Sequence, residues 1–145
     1  MKSFVAFVAL LFVTLTVCGN VDYDRCGGVG TFMGMRIGGC EGRVCWMTPG
    51  TPYLCEGDLY PSSAAASLSL RVTAVYLTTT ITIIDTVLEN SSIQPGFLYT
   101  VKFTIVPNDI LAGEYLPVQA EIYHTVGTIT EICVGFHVRV EQLKK

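Results

Sequence analysis

The sequence predicts an all-β chain, folded as a two-sheet antiparallel sandwich of the immunoglobulin-like kind. Three observations predict it. Apolar and polar residues alternate at period two over several short stretches, turn residues separate those stretches, and apolar residues at helical spacing never appear.

Ahead of the first strand, Met1-Lys2, the almost wholly apolar run from Phe4 to Val17 and the ending Val17-Cys18-Gly19 have the parts of a secretory leader. Residues 1–19 are therefore expected to be removed, leaving residues 20–145 as one domain, secreted to the cell exterior or a lysosomal-type lumen. No later run reaches the roughly 18 uninterrupted apolar residues that a membrane-spanning helix needs. The longest, residues 74–88, is broken by five threonines and Asp85.

Gly27-Gly28-Val29-Gly30 reads as a turn into a strand in which Met33, Met35 and Ile37 share a face; no helix follows it, as a phosphate-cradling loop would require. The Cys40–Cys45 segment and Thr48-Pro49-Gly50-Thr51-Pro52 mark turns. Tyr53, Cys55, Gly57 and Leu59 then alternate with polar partners, so Cys55 is expected to point inward. Residues 61–66 read as a loop with room for one helical turn, before Leu68, Leu70, Val72 and Ala74 alternate with Ser67, Ser69, Arg71 and Thr73. Ile81 and Ile83 alternate with threonines. Residues 89–92 make a polar connection, and Tyr99, Val101, Phe103 and Ile105 face away from Thr100, Lys102 and Thr104. After the stop at Pro107-Asn108-Asp109, Leu116, Val118, Ala120 and Ile122 alternate. Pro117 lacks an amide donor and places that strand at an edge or makes Pro117 its start. The last strand sets Ile132, Val134, Phe136, Val138 and Val140 inward and Cys133, His137 and Arg139 outward.

Charge and composition exclude several functions. The chain carries 9 basic and 12 acidic residues and a net charge of −3, with no basic run beyond Lys144-Lys145, so nucleic acid is excluded as a partner. Half the residues are apolar and 14% charged, which excludes disorder. Neither Gly-x-Ser-x-Gly nor His-Glu-x-x-His occurs, and no cysteine–histidine dyad is recognisable, so no enzymatic activity, metal site or cofactor is expected. His124 and His137 are expected to be solvated or at a rim, Trp46 to pack over the Cys40–Cys45 turn, and Arg71, Lys102 and Arg139 to face solvent. Asn90-Ser91-Ser92 is a glycosylation sequon. Once Cys18 leaves with the leader, five cysteines remain, an odd number in an oxidising compartment. A bridge from Cys40 to Cys45 across a turn containing Gly42 is sterically reasonable, which leaves Cys26 with Cys133, or either with Cys55.

Several of these stretches occur in a telling order. Asp24-Arg25-Cys26-Gly27-Gly28-Val29, the pair Cys40 and Cys45, Pro49-Gly50 with Tyr53, Pro95-Gly96-Phe97-Leu98-Tyr99-Thr100-Val101-Lys102-Phe103 with Val106-Pro107, and Cys133 after a hairpin tip together resemble the ML lipid-recognition domain family. That family includes sterol-transfer proteins, a lipopolysaccharide co-receptor and mite allergens. The resemblance implies that Cys26 pairs with Cys133 and Cys40 with Cys45, leaving Cys55 as a buried free thiol. It also implies a lipid held between two splayed sheets. The inward residues that would line such a cavity are Met35, Ile37, Tyr53, Leu59, Leu68, Leu70, Val72, Ile81, Ile83, Tyr99, Val101, Phe103, Ile105, Val118, Ile122, Val134, Phe136 and Val138. The family's middle disulfide has no counterpart near residues 89–95, and Cys55 is extra. The function implied is enclosure of a sterol or fatty-acid-like lipid for transport or presentation. The alternatives are an innate-immune recognition module for microbial glycolipid such as lipopolysaccharide, and a structural sandwich with a filled core.

Overall fold

The computed structural model describes residues 18–144. The expected leader lies outside them, save for Cys18 and Gly19. Strands β1 (Cys18–Asn20), β3 (Thr31–Gly38), β5 (Tyr53–Tyr60) and β8 (Tyr99–Ile105) form one sheet in the order β1-β3-β5-β8. The other runs β2 (Asp24–Gly27), β10 (Thr130–Val140), β9 (Tyr115–His124), β6 (Leu68–Tyr76), β7 (Thr79–Val87), with β4 (Val44–Met47) also paired to β10. The two sheets face each other as an all-β sandwich, and each contributes the apolar row that its alternation marked.

β10 is the longest strand and shows how the sequence dictates the packing. Ile132, Val134, Phe136, Val138 and Val140 are all buried, while Arg139 is exposed. Facing them, β3 and β5 bury Met35, Ile37, Cys55 and Leu59, so two dry apolar faces close on each other. Burial pushes the Cys55 thiol up to about 12, aided by Cys18, which leaves it an unreactive core group. Leu77 and Thr78 both have positive φ, giving the two-residue turn whose twist suits the β6–β7 hairpin.

Two expectations need correcting. β9 is not an edge strand. It lies between β10 and β6, and Pro117 is tolerated because the β6 pairing stops at Val118, so no partner on that side asks for its amide. Within the two antiparallel sheets the short strand β4 runs parallel to β10. Residues 61–66 hold no helical turn. Ala65 instead bridges to Ile93, and the one helical piece among the described residues is the 3-10 turn Asp109–Leu111, capped by the Asn108 side chain. At the start of the described chain, Cys18 and Gly19 pair with Gly38 and Ile37 in β1.

His124 is also not solvated. It is buried beside Glu131, which has no exposed surface. Glu131 Oε1 lies 2.8 Å from His124 Nε2 and accepts from the Ser62 hydroxyl at 2.9 Å, and Oε2 accepts from the Ser62 amide at 2.8 Å. This cluster explains the glycines at the start of the domain. A Cβ on Gly30 would lie 2.8 Å from Glu131 Oε2, and one on Gly28 would lie 2.4 Å from the Glu131 carbonyl oxygen. Burial by itself would raise the Glu131 carboxyl, but the Ser62 amide, His124 and the Ser62 hydroxyl outweigh it and hold it below the ordinary carboxylate range.

The two disulfides close very different loops. Cys26–Cys133 spans 107 residues and fastens β2 to β10, whereas Cys40–Cys45 spans 5. Replacing both Cys26 and Cys133 by alanine is expected to cost roughly 4 to 5 kcal/mol in urea unfolding, and the same change at Cys40 and Cys45 about 2 kcal/mol. Equal losses would contradict the loop-closure account. Glu131 gives a second test. Its folded-state carboxyl is depressed, so the stability it contributes is present above the unfolded value of about 4.3 and is lost as the pH falls through the folded value. Glu131→Gln is expected to be less stable at neutral pH and to lose less over that acid window. Parallel acid limbs for the two proteins would rule the carboxylate out.

Candidate functional site: a cavity between the sheet edges

The middle of the sandwich is solid. Met35, Leu70, Val101, Phe103, Ile122 and Val134 surround a void of only about 20 Å³, room for one water at most. Ile37, Leu59, Leu68, Val72 and Phe136 are fully buried around it. These eleven residues are core, not cavity wall. Tyr53 and Tyr99 are half-buried, and each uses its hydroxyl to accept a backbone amide, from Thr48 at 2.7 Å and from Gln94 at 3.0 Å, so both tie down loops.

The open volume lies elsewhere, where the last residues of β8 and the 3-10 turn face the β6–β7 hairpin. β8 ends one sheet and β7 ends the other, and among the described residues no strand joins these two edges. Between them lies a cavity of about 450 Å³. Ile81, Ile83, Ile105, Val118 and Val138, five of the eighteen expected residues, line it. Met47, Tyr76, Thr82, Val106, Pro107, Asn108, Ile110, Leu111, Leu116 and Val140 complete the wall.

The local sequence explains the opening. Pro107 follows β8 and cannot extend its ladder, so the chain leaves the sheet and turns through Asn108, whose side-chain oxygen accepts from the Ile110 amide at 3.1 Å. That turn buries Leu111 at the cavity floor and leaves Ile110 70% exposed. Across the gap, the β6–β7 pairing slips between Val72 and Thr73. Ile83 is the extra residue, so Ile81 and Ile84 pack against the core while Ile83 stays partly exposed at the rim. Val106, Ile110 and Leu77 are exposed apolar residues near this end.

Among the described residues no charged side chain lines the cavity. Its polar groups are Thr82, Asn108 and the Tyr76 hydroxyl. Arg71 pairs with Asp85 and Glu121, Lys102 with Glu56, and Arg139 sits over the Trp46 ring, all on outer faces of the sheets. Trp46, expected to pack over the Cys40–Cys45 turn, is 56% exposed.

The other chemistry-bearing groups are arranged for structure. Ser62, His124 and Glu131 have the composition of a nucleophile, base and acid but not the order. The hydroxyl donates to the carboxylate, and the imidazole meets that same oxygen instead of the serine. Among the described residues no cluster of three or more His, Cys, Asp or Glu could hold a metal ion, and no helix is long and apolar enough to cross a membrane. Asn90 is exposed in the connection after β7.

No protein-family model matches the sequence, and no curated protein matches it. Solved structures do. A Niemann-Pick type C2 protein from the Japanese carpenter ant superposes with a TM-score of 0.68 at 15% identity, over 83% of this chain and 99% of that one. The C-terminal domain of Wzt superposes with a TM-score of 0.63 at 11% identity, over 85% of this chain and 79% of that one. At such identities the likeness is one of fold, and the chain has the two-sheet sandwich fold of the Niemann-Pick type C2 protein, the ML type that its motifs resemble.

Proposed function

We propose that the protein is a secreted lipid-binding protein that encloses one neutral lipid, sterol-like in having a bulky apolar body and no charged head, and carries it through water. The observation that carries this reading is the uncharged cavity of about 450 Å³ between the unjoined edges of β7 and β8. It lies within the size range of small-ligand sites, and each methylene buried there contributes about 0.8 kcal/mol. The fold of the carpenter-ant protein supports the same reading.

The wall also favours one head group. Placing a carboxylate against apolar surface without a cation costs several kcal/mol, whereas a hydroxyl asks for one hydrogen bond, which Thr82, Asn108 or Tyr76 could supply. A sterol-like alcohol is therefore favoured over a fatty acid. The glycolipid alternative needs cations at the mouth, and the paired positions of Arg71, Lys102 and Arg139 give it no support. A filled sandwich describes the centre of the molecule but leaves the cavity without a use. Exchange needs only the mouth, because the ligand could enter between the sheet edges without unpairing a ladder.

Titration with a fluorescent sterol is expected to saturate at one molecule per chain. Ile81→Trp, which fills the cavity from the half-buried edge strand, is expected to weaken binding at least about tenfold, the equivalent of two lost methylene contacts. Failure of the protein to take up either the sterol or oleate would overturn the reading. Head-group choice has its own test. Thr82→Lys puts a cation on the wall and is expected to raise oleate affinity about tenfold while leaving sterol affinity unchanged or lower, as judged by competition. Tight oleate binding by the unaltered protein would show that a charged head is accommodated.

A further inference from the structure

A second feature lies on the opposite side of the six-stranded sheet, away from the cavity. The outer edge of β10 is covered in two pieces. β2 pairs with Cys133–Gly135 and β4 with His137–Val140, and the chain leading into β2 leaves a notch at their junction. The notch is a cavity of about 320 Å³ lined by Asp22, Tyr23, Asp24, Arg43 and His137. Past His137 and Asp24 it continues into a crevice of about 190 Å³ floored by Pro117 and Gln119.

The groups facing this notch are unmatched. Some surface carboxylates are paired, Glu56 and Asp58 with Arg36, and Asp85 with Arg71, whereas others such as Glu41 and Glu89 stand free in solvent. Asp22, Asp24 and Arg43 form no ion pair or side-chain hydrogen bond with any described residue. The half-buried His137 ring lines the notch, and its Nδ1 is buried without a hydrogen-bond partner. Beside these groups runs a row of flat apolar surface. Tyr115 stacks on His137 with ring centres 5.5 Å apart and planes 15° apart, and is 45% exposed. One step further along, Trp46 is exposed, with the Arg139 guanidinium 5.5 Å from its ring centre.

We propose that this notch is a saccharide-binding site. A pyranose ring presents an apolar C–H face and an edge of hydroxyls, each of which donates and accepts. The exposed aromatic row supplies a surface for the first. The two carboxylates, which accept, and the guanidinium, which donates, meet the second. Other ligand classes fit less well. The carboxylates repel nucleic acid, a lipid tail gains nothing from three unmatched charges, and the described residues hold no metal cluster. The site shares no residue with the lipid cavity apart from Val118, whose strand has a side in each, so the two proposals stand or fall separately.

Trp46 is the only tryptophan in the chain and reports on this face directly. Its emission should be followed while the full secreted protein is titrated with maltohexaose, cellohexaose, mannohexaose and chitohexaose in turn. A saturable change with at least one of them is expected, weakened at least about tenfold by Asp24→Asn and by Arg43→Gln, with sterol uptake unaltered in both variants. Asp22→Asn, on the exposed lip where no ladder depends on the side chain, serves as a third variant if Asp24→Asn does not fold. No saturable change with any of the four sugars would overturn the proposal, as would a change that the variants leave intact.

Discussion

The structure depends on one strand being claimed from both sides by distant parts of the chain. β10 takes β9, its neighbour in sequence, along one edge, but along the other it takes β2 and β4, both from the first third of the chain. Such pairings must overcome the entropy of closing loops of about a hundred residues before any contact rewards them. The Cys26–Cys133 bridge removes much of that entropy from the unfolded chain. Once β10 is held, its inner row, Ile132 to Val140, offers a continuous dry face on which the four-stranded sheet can settle, and the rest of the core follows.

That closure fixes where the sandwich is solid and where it is open. On the β10 side the sheets are covered by β2, β4 and the disulfides. At the far side β7 and β8 are the last strands of their sheets, and nothing bonds one to the other. A twisted sandwich splays along its free edges, and here the chain fills only part of the gap, with Leu111 and Ile105. The ends also divide the polar chemistry. Glu131, His124 and Ser62 lock the loops at one end, while the cavity at the other end carries no charge. Movement at the open end therefore need not disturb the buried carboxylate that ties the β9–β10 hairpin to the β5–β6 connection.

The period-two signal was legible because it records solvent contact residue by residue. β5, β6, β8 and β10 fall where their alternation puts them, and Cys55 points inward as its neighbours require. β1, β2 and β4 were not legible, because three or four residues cannot show a period, and their pairing is decided by the strand they meet. The cavity was only partly legible for a related reason. Alternation separates inside from outside but does not separate core from wall, so Leu70 and Val118 look alike in sequence. What distinguishes them is height along the strand and the spread of the sheet edges, properties of the assembled sandwich. One signal was available: Val106 and Ile110 are apolar residues flanking a polar turn, where exposure carries a cost unless something covers them. Glu131 gave none, since a single acid in a strand start reads as solvent-facing.

The two proposed sites illustrate what a sandwich of this kind can do with its two kinds of surface. The interior face of a sheet is apolar by the requirement of folding, so a lipid site there needs only missing volume, and the cavity wall is made of the same residue types as the core. The outer face has no such requirement. Its charges are free to pair, and some of them do, through Arg36 and Arg71. At the notch beside His137 they do not, although Asp24 and Arg43 line one small cavity with an unpartnered imidazole nitrogen. Asp22, Asp24 and Arg43 are all exposed there. On the proposed reading these charges, with the exposed Tyr115 and Trp46 rings, would meet a polar partner. The fold constrains only the position of that partner, and the shared sandwich of a Niemann-Pick type C2 protein and the Wzt domain leaves its chemistry to the side chains.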